Sequence, residues 1–192
     1  VSLNDGLGGF PVLETPQLVL REMRPEEDAR HWLSIRGAEG PETDFKDTEL
    51  AGLGEQFEGV RSRFYDDKYV IYWAITRKGE DRIIGNVRYW EFMGHWNSVH
   101  AFVTFQYELA PQYWGKGIGP EAVRAAAEFG IKHLSFARVQ CSIGVDDQRR
   151  HDELLEAGFT KEGRLRCWWL DDATGQWQDE LMFSLVPSDI GP

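Results

Sequence analysis

Positive charge is in short supply in this chain. It has 21 Lys and Arg against 32 Asp and Glu among 192 residues, a formal net charge of −11. Gripping a nucleic-acid backbone requires the opposite sign, so no nucleic-acid partner is expected. A negative field favours a cationic partner, such as an amine, an aminoglycoside-like molecule or a basic peptide, although acidity also serves solubility alone. Cysteine is scarcer still. Cys141 and Cys167 are the only two, and they form neither a CxxC motif nor a metal-ligand spacing, so they are expected as reduced strand residues and no metal is expected. No run approaches the roughly 18 apolar residues of a membrane span, and no cleavable leader pattern stands at the start of the chain. The expected setting is therefore cytoplasmic, with no membrane partner. Nucleotide signatures are missing too. There is no G-x-G-x-x-G, and Lys116 sits inside its glycines without a following Ser or Thr, which excludes a Rossmann fingerprint and a P-loop. No internal repeat or low-complexity tract occurs. Aromatics, in contrast, are plentiful. Eight tryptophans are more than a core of this size needs, which leaves some for an acceptor pocket or the interface of a homodimer.

The most informative stretch is a glycine-rich turn. Residues 110–122 read Ala-Pro-Gln-Tyr-Trp-Gly-Lys-Gly-Ile-Gly-Pro-Glu-Ala. They follow an alternating apolar run, Phe102 to Leu109, and lead into a helical pattern from Glu121 to Leu134. Glycines at 115, 117 and 119 suit a backbone that curls tightly and lets a ligand come close. At a helix start, such a loop aims unpaired N–H groups and the positive end of the helix dipole at one point, where a pyrophosphate fits. Gly119-Pro120 predicts the helix start itself, with proline at the first helical position. In isolation a turn of this kind reads equally well as a surface connection.

Patterning around the turn predicts strands over 17–23, 69–76, 82–92, 99–109 and 138–145, then a hairpin of 159–170 with 177–186. Helices are predicted from Arg24 through Ile35, from Glu55 to Asp66, from Pro120, and from Asp147 to Ala157. The last has Asp147 as its cap and Gly158 as its stop. Gly85 marks a bulge, and residues 38–54 read as a polar loop. Residues 1–16 read as an extended arm, 17–186 as one domain and 187–192 as a tail, in the order β-α-α-β-β-β-α-β-α-β-β.

Strand, Pro-containing turn, W-G-K-G-I-G, P-E-A and amphipathic helix together resemble the acetyl-CoA-binding motif of the GNAT acetyltransferases, Gln/Arg-x-x-Gly-x-Gly/Ala. Trp114-x-x-Gly117-x-Gly119 is the frame that meets the helix, and Gln112-x-x-Gly115-x-Gly117 fits the pattern one step earlier. Tyr113-Trp114, the segment from Leu18 to Asp28 and the I-G-N-V of 84–87 are similar to the ribosomal-protein alanine acetyltransferase branch. The resemblance implies an α+β single GNAT-fold domain: a mixed, mostly antiparallel seven-stranded sheet flanked by helices, with strands four and five splayed. It implies acetyl-CoA as cosubstrate. Trp114, Gly115, Lys116, Gly117, Ile118 and Gly119 would hold the pyrophosphate. The thioester arm would pair with backbone at Tyr107 and Leu109, with the Tyr107 amide nearest the thioester oxygen.

Two departures from the family pattern bear on catalysis. The family's fourth-strand glutamate falls at Thr104, so that base is missing. Glu108 is out of phase with it and is expected on the opposite face. Glu91, at the end of the third strand, is then the candidate base, directly or through water, with His95 and His100 flanking the next turn. The family's Asn-x-x-Ser in the last helix falls at Asp147 and Arg150. Asp147 can accept hydrogen bonds from the cofactor arm but not donate them. Arg150 is a poor acid and is assigned to a CoA phosphate, which leaves His151 as the candidate acid. The expected function is an N-acetyltransferase moving acetyl from acetyl-CoA to a primary amine by direct attack in a ternary complex. A catalytically silent acyl-CoA-binding module on the same fold is the alternative, and a phosphate-binding domain unrelated to CoA a third.

Overall fold

A computed structural model describes residues 9–35, 51–59, 71–93 and 102–191, with only the backbone given for 90–93. The elements in chain order are β1 (Leu13–Glu14), β2 (Leu18–Glu22), α1 (Pro25–Ile35), α2 (51–59), β3 (Ile71–Arg77) and β4 (Ile83–Met93). They continue with β5 (Phe102–Leu109), α3 (Ile118–Lys132), β6 (Arg138–Gly144), α4 (Gln148–Glu156), β7 (Thr160–Asp171) and β8 (Gln176–Leu185). One eight-stranded sheet runs in the order β1-β2-β3-β4-β5-β6-β8-β7. Its neighbours are antiparallel except for β5 and β6, which are parallel.

The seven expected strands are all present, as β2 to β8. The eighth comes from the N-terminal arm, where Leu13 and Glu14 pair with Leu20 and Val19. Two residues are too few for any periodicity, so sequence could not show it. Two helix starts also differ from expectation. Helix α2 already includes 51–54, read from sequence as loop because of Gly52 and Gly54. Leu53 and Phe57 lie four apart and pack into the core between α1 and the sheet, which outweighs the glycine cost. Residues 36–50 and 60–70 lie outside the described residues. Helix α3 starts at Ile118 with Gly117 as its cap, so Pro120 is the third helical residue, not the first. Proline is harmless there because the first four N–H groups of a helix have no internal acceptor.

Strand alternation divides the core in two. On one face Leu18, Leu20, Trp73, Val87, Tyr89, Phe105 and Tyr107 pack against α3 and α4 through Ala122, Ala126, Phe129 and Leu154. The Trp73 ring meets Tyr89 and Phe129 edge-on at 5.1 and 5.8 Å. On the other face Tyr72, Ala74 and Ala110 pack under Ala29, Trp32 and Phe57 of α1 and α2.

Strands β5 and β6 pair only at Phe102–Arg138, Val103–Val139 and Thr104–Gln140. The β4–β5 ladder shifts register at the same level: Tyr89 faces Phe105 and Glu91 faces Thr104, so Trp90 is the extra residue of a bulge. A bulge bends its strand and increases the local twist. It lies level with the last parallel rung, and from Phe105 onward β5 and β6 no longer pair. The bulge expected at Gly85 lies one residue earlier, between β3 and β4: Ile84 is the extra residue, and Gly85 pairs with Ile75. A Cβ on Gly85 would stand 2.5 Å from the Glu108 carbonyl.

At the far edge, β7 has two register shifts against β8, at Lys161/Gly163 and Leu165/Trp169. In the second, Cys167 has φ +49°. Asp179 fixes that irregularity, accepting from the Cys167 amide at 2.7 Å and from Arg164 Nε at 2.6 Å. Trp168, Trp169, Leu170 and Trp177 are exposed around it.

The start of α1 is tied to β2 by a buried ion pair. The Arg21 guanidinium donates to both oxygens of Asp28, each at 2.8 Å, and Asp28 also accepts the Arg24 amide at 2.7 Å. Sequence placed Asp28 among first-turn carboxylates favoured by the helix dipole, whereas it is 2 % exposed and paired. Removing it leaves the Arg21 guanidinium with the Asp81 carboxylate and the Glu22 and Asp81 carbonyls only, so Asp28→Ala should lower stability by about 2 kcal/mol. Glu27→Ala, on the exposed side of the same turn, should change it by less than about 0.5 kcal/mol. Urea unfolding followed by tryptophan fluorescence measures both.

Candidate active site

The site develops where β5 leaves β6. The Ala110 amide donates to the Ile84 carbonyl at 3.0 Å, so by alternation Glu108 and Gln106 also turn their backbone groups towards β4. Tyr107 and Leu109 then turn their N–H and C=O groups to the other side, where the parallel ladder has ended. These are the two residues whose backbone was singled out from sequence.

Beyond Leu109 the chain makes one 3-10 turn, Pro111–Tyr113, and enters the glycine loop. Gly115 and Gly117 have φ of +67° and +73°, a conformation that costs other residues roughly 1–2 kcal/mol. The first bond inside α3 runs from the Glu121 amide to the Gly117 carbonyl at 3.2 Å. The amides of Ile118 and Gly119 precede that bond at the helix start, and Pro120 has none. The loop therefore offers converging donors at the positive end of a 15-residue helix. Lys116 adds a cation, its Nζ 5.7 Å over the Tyr113 ring.

Gly119 has a different role from its two neighbours. It is helical, and a Cβ there would stand 2.9 Å from the Glu153 carboxyl carbon. Glu153 is 7 % exposed. Its Oε2 accepts from the Tyr107 hydroxyl at 2.8 Å and from Arg149 at 2.6 Å. The Arg149 guanidinium stacks 4.5 Å from the centre of the Trp114 ring, and the Trp114 indole donates to the Leu109 carbonyl at 2.7 Å. Strand β5, the loop and α4 are thus joined by one polar chain. Burial, with the Glu153 charge beside it, pushes the Tyr107 phenol far above its ordinary range, so its hydroxyl stays a donor. Sequence reading passed over Arg149 and Glu153. The available signal was their i, i+4 spacing on a helix whose inner face has few apolar residues.

Among the last-helix residues, Asp147 caps α4 as expected, accepting the Arg150 amide at 3.0 Å. The Arg150 guanidinium lies 5.8 Å over the Tyr107 ring. Its Nε is buried without a hydrogen bond, and the nearest carboxylate oxygen, Asp147 Oδ2, is 3.5 Å away. Arg150 thus reaches the diverging strands. His151 does not: its ring packs edge-on to Phe183 of β8 at 5.6 Å and its Nδ1 lies 3.0 Å from Asp152, with β6 between it and β5. The backbone of Glu91 faces Thr104, at the level where β5 and β6 are still paired. Its side chain lies outside the described residues, as do His95 and His100. Cys141 is buried behind this site, and that burial raises its thiol well above the usual range, which leaves it inert. Among the described residues no group of His, Cys, Asp or Glu can hold a metal ion, and no helix is long and apolar enough to cross a membrane.

Comparison with known proteins agrees with this geometry. The family model described as an acetyltransferase (GNAT) domain matches residues 17–160. The chain is 26% identical over 180 residues to YoaA, an uncharacterized N-acetyltransferase of Bacillus subtilis, covering 92% of this chain and 97% of that one. It is 27% identical over 134 residues to the ribosomal protein uS5 alanine N-acetyltransferase of Escherichia coli, covering 70% of this chain and 66% of that one. Mycobacterium smegmatis RimJ, solved in complex with CoA-disulfide, superposes with a TM-score of 0.76 at 20% identity over 95% of this chain and 88% of that one.

The contact of Gly119 with Glu153 makes the two positions energetically coupled. Gly119→Ala should cost about 1–2 kcal/mol by driving the carboxylate off its partners. In a Glu153→Ala background the same change should cost close to nothing. A denaturant double-mutant cycle measures the difference.

Proposed function

The chain belongs to the GNAT acetyltransferase family and is an N-acetyltransferase; on that premise we propose that it transfers the acetyl group of acetyl-CoA directly to a primary amine bound beside it. One observation carries this reading. A strand edge past the last parallel rung, with the Tyr107 backbone and the Leu109 amide turned outward and the Leu109 carbonyl held by Trp114, runs straight into a helix start with two left-handed glycines. An extended amide-bearing arm ending in a pyrophosphate matches both halves of that surface. Amide groups of the arm can pair with the Tyr107 backbone and with the Leu109 amide as an added strand would. The pyrophosphate suits the amides of 115–119, with Lys116 adding charge.

In this reading the Tyr107 amide donates to the thioester oxygen and stabilises the oxyanion that forms as the amine attacks, which is a backbone contribution that side-chain variation leaves intact. The Arg150 guanidinium faces a CoA phosphate. Asp147 fixes the first turn of α4 and hence the position of Arg150. The acceptor is a primary amine on a small molecule or a protein N-terminus, and the net charge of −11 favours a cationic one. The missing carboxylate at Thr104 and the replacement of Asn and Ser by Asp147 and Arg150 support the silent acyl-CoA-binding module as the second reading.

Two experiments test the proposal. Gly117→Val combines a strained backbone with a side chain over the amides. It should weaken CoA binding at least ten-fold by calorimetric titration, whereas Lys116→Ala should weaken it by less than about five-fold, because the amides supply most of the site. Unchanged affinity in Gly117→Val would remove the loop from the binding site. A thiol-release assay with acetyl-CoA across small amines and basic peptides should then show turnover; CoA binding without turnover of any amine would favour the silent module. Arg150→Ser should weaken CoA binding and leave turnover at saturating acetyl-CoA intact or higher.

A further inference from the structure

The family's usual base is missing at Thr104, yet the neutral amine still has to form. An alkyl amine with a pKa near 10 is only about a thousandth neutral at pH 7, so some group must take its proton. The face of the sheet opposite α3 supplies a candidate.

Ala74, Asn86 and Glu108 lie side by side across β3, β4 and β5, on the face covered by α1 and α2. Ala74 and Asn86 are buried, while Glu108, on the strand that borders the divergence, is exposed. The Glu108 carboxylate has no hydrogen-bond or ion-pair partner among the described residues. The neighbouring cation is engaged elsewhere: Arg88 bonds to Gln106 Oε1, at 3.0 Å from its Nε, and stacks 5.9 Å over the Tyr72 ring. Directly beside Glu108, Asn86 is 3 % exposed and its Nδ2 is buried with no acceptor among the described residues. An orphaned buried donor costs about 1–3 kcal/mol, and native structures keep few without a use. Glu108 also follows directly on Tyr107, whose amide faces the diverging strands. Glu91, facing Thr104, stands at a level four residues away along β5, about 13 Å by strand rise.

We propose that Glu108 is the catalytic base, receiving the acceptor's ammonium on the α1–α2 face, with Asn86 as a positioning residue that donates to the Glu108 carboxylate or to the acceptor. The inference rests on the acetyltransferase reading above and names the acceptor side of the same site. Glu108 takes one proton from the ammonium. The freed nitrogen lone pair forms a bond to the acetyl carbonyl carbon, and the carbon–sulfur bond breaks with its electron pair on sulfur. The second nitrogen proton leaves with collapse of the intermediate and ends on the thiolate, giving amide and free thiol. Glu108 returns its proton to solvent, so one proton is released per turnover.

The test compares Glu108→Gln, Asn86→Ala and Glu91→Gln with the parent chain, using acetyl-CoA and amines of graded basicity. The series runs from a primary alkyl amine to hydroxylamine, which is already neutral at pH 7 and needs no base. Glu108→Gln should keep its melting temperature and its acetyl-CoA affinity. Its kcat/KM should fall about a hundred-fold or more for the alkyl amine and less than about five-fold for hydroxylamine. Asn86→Ala should show the same dependence on amine basicity with a smaller loss, and Glu108→Asp should recover part of the rate. A structural role would lower all amines equally, and that result overturns the proposal. So does a Glu108→Gln enzyme with parental rates, or a Glu91→Gln enzyme that alone shows the basicity-dependent loss. If the parent chain binds acetyl-CoA but acetylates no amine, the acetyl-transfer reading fails and this inference falls with it.

Discussion

The parting of β5 from β6 is the constraint on which the rest of the molecule depends. A parallel pair inside a sheet normally satisfies both edges of each strand, and here that arrangement stops after Thr104. A bulge of β4 falls at the same level, and the Gln140 side chain, donating to Thr104 Oγ1 at 3.3 Å, marks the last rung. The elements proposed to hold the substrate lie beyond that point: the backbone of Tyr107 and the Leu109 amide on one edge, the glycine loop at the end of β5, and α4 across the opening. An unsatisfied strand edge inside a protein is costly unless something pairs with it. The fold bears that cost beside Tyr107, where, in the proposed function, an extended substrate arm takes the role of the missing strand.

The polar chain from the Leu109 carbonyl through Trp114, Arg149 and Glu153 to the Tyr107 hydroxyl shows how the opening is kept in shape. Parting two strands leaves no backbone ladder to hold their relative position, so side chains must do it. Glu153 does so from α4, the loop does so through Trp114, and Gly119 makes room for the carboxylate. The three glycines of the loop therefore divide into two kinds. Gly115 and Gly117 are needed for their backbone angles, and Gly119 is needed because Glu153 occupies the space beside it.

Much of this was legible in the sequence for physical reasons. The loop combines composition, a preceding strand and a following helix, and the alternation in Val103, Phe105, Tyr107 and Leu109 fixes which residues face α3. Strand β1 was illegible because two residues have no period. Helix α2 was masked at its start by Gly52 and Gly54, whose local preference lost to the burial of Leu53 and Phe57. Glu153 looked like one more charge on a polar helix; only the approach of Tyr107, 46 positions away in the chain, makes it a buried hub. Pro120 was assigned two helical positions too early because Gly117, not Gly119, is the left-handed cap. The phase of Glu108 was readable from alternation alone. What could not be read was that the Nδ2 of Asn86, buried beside it, has no acceptor among the described residues.

The outer strand has a consequence for how the protein survives in a crowded solution. Edge strands are the usual template for runaway association between chains, and a cluster of exposed tryptophans would ordinarily aggravate that hazard. Here the edge is interrupted twice, at Lys161/Gly163 and at Leu165/Trp169, and Lys161, Glu162 and Arg164 lie along it. An incoming strand would lose register within a few residues and meet charge where it needed amides. The aromatic tip formed by Trp168, Trp169, Leu170 and Trp177 can therefore stay in water as a side-chain surface without the strand beneath it seeding fibrous aggregation.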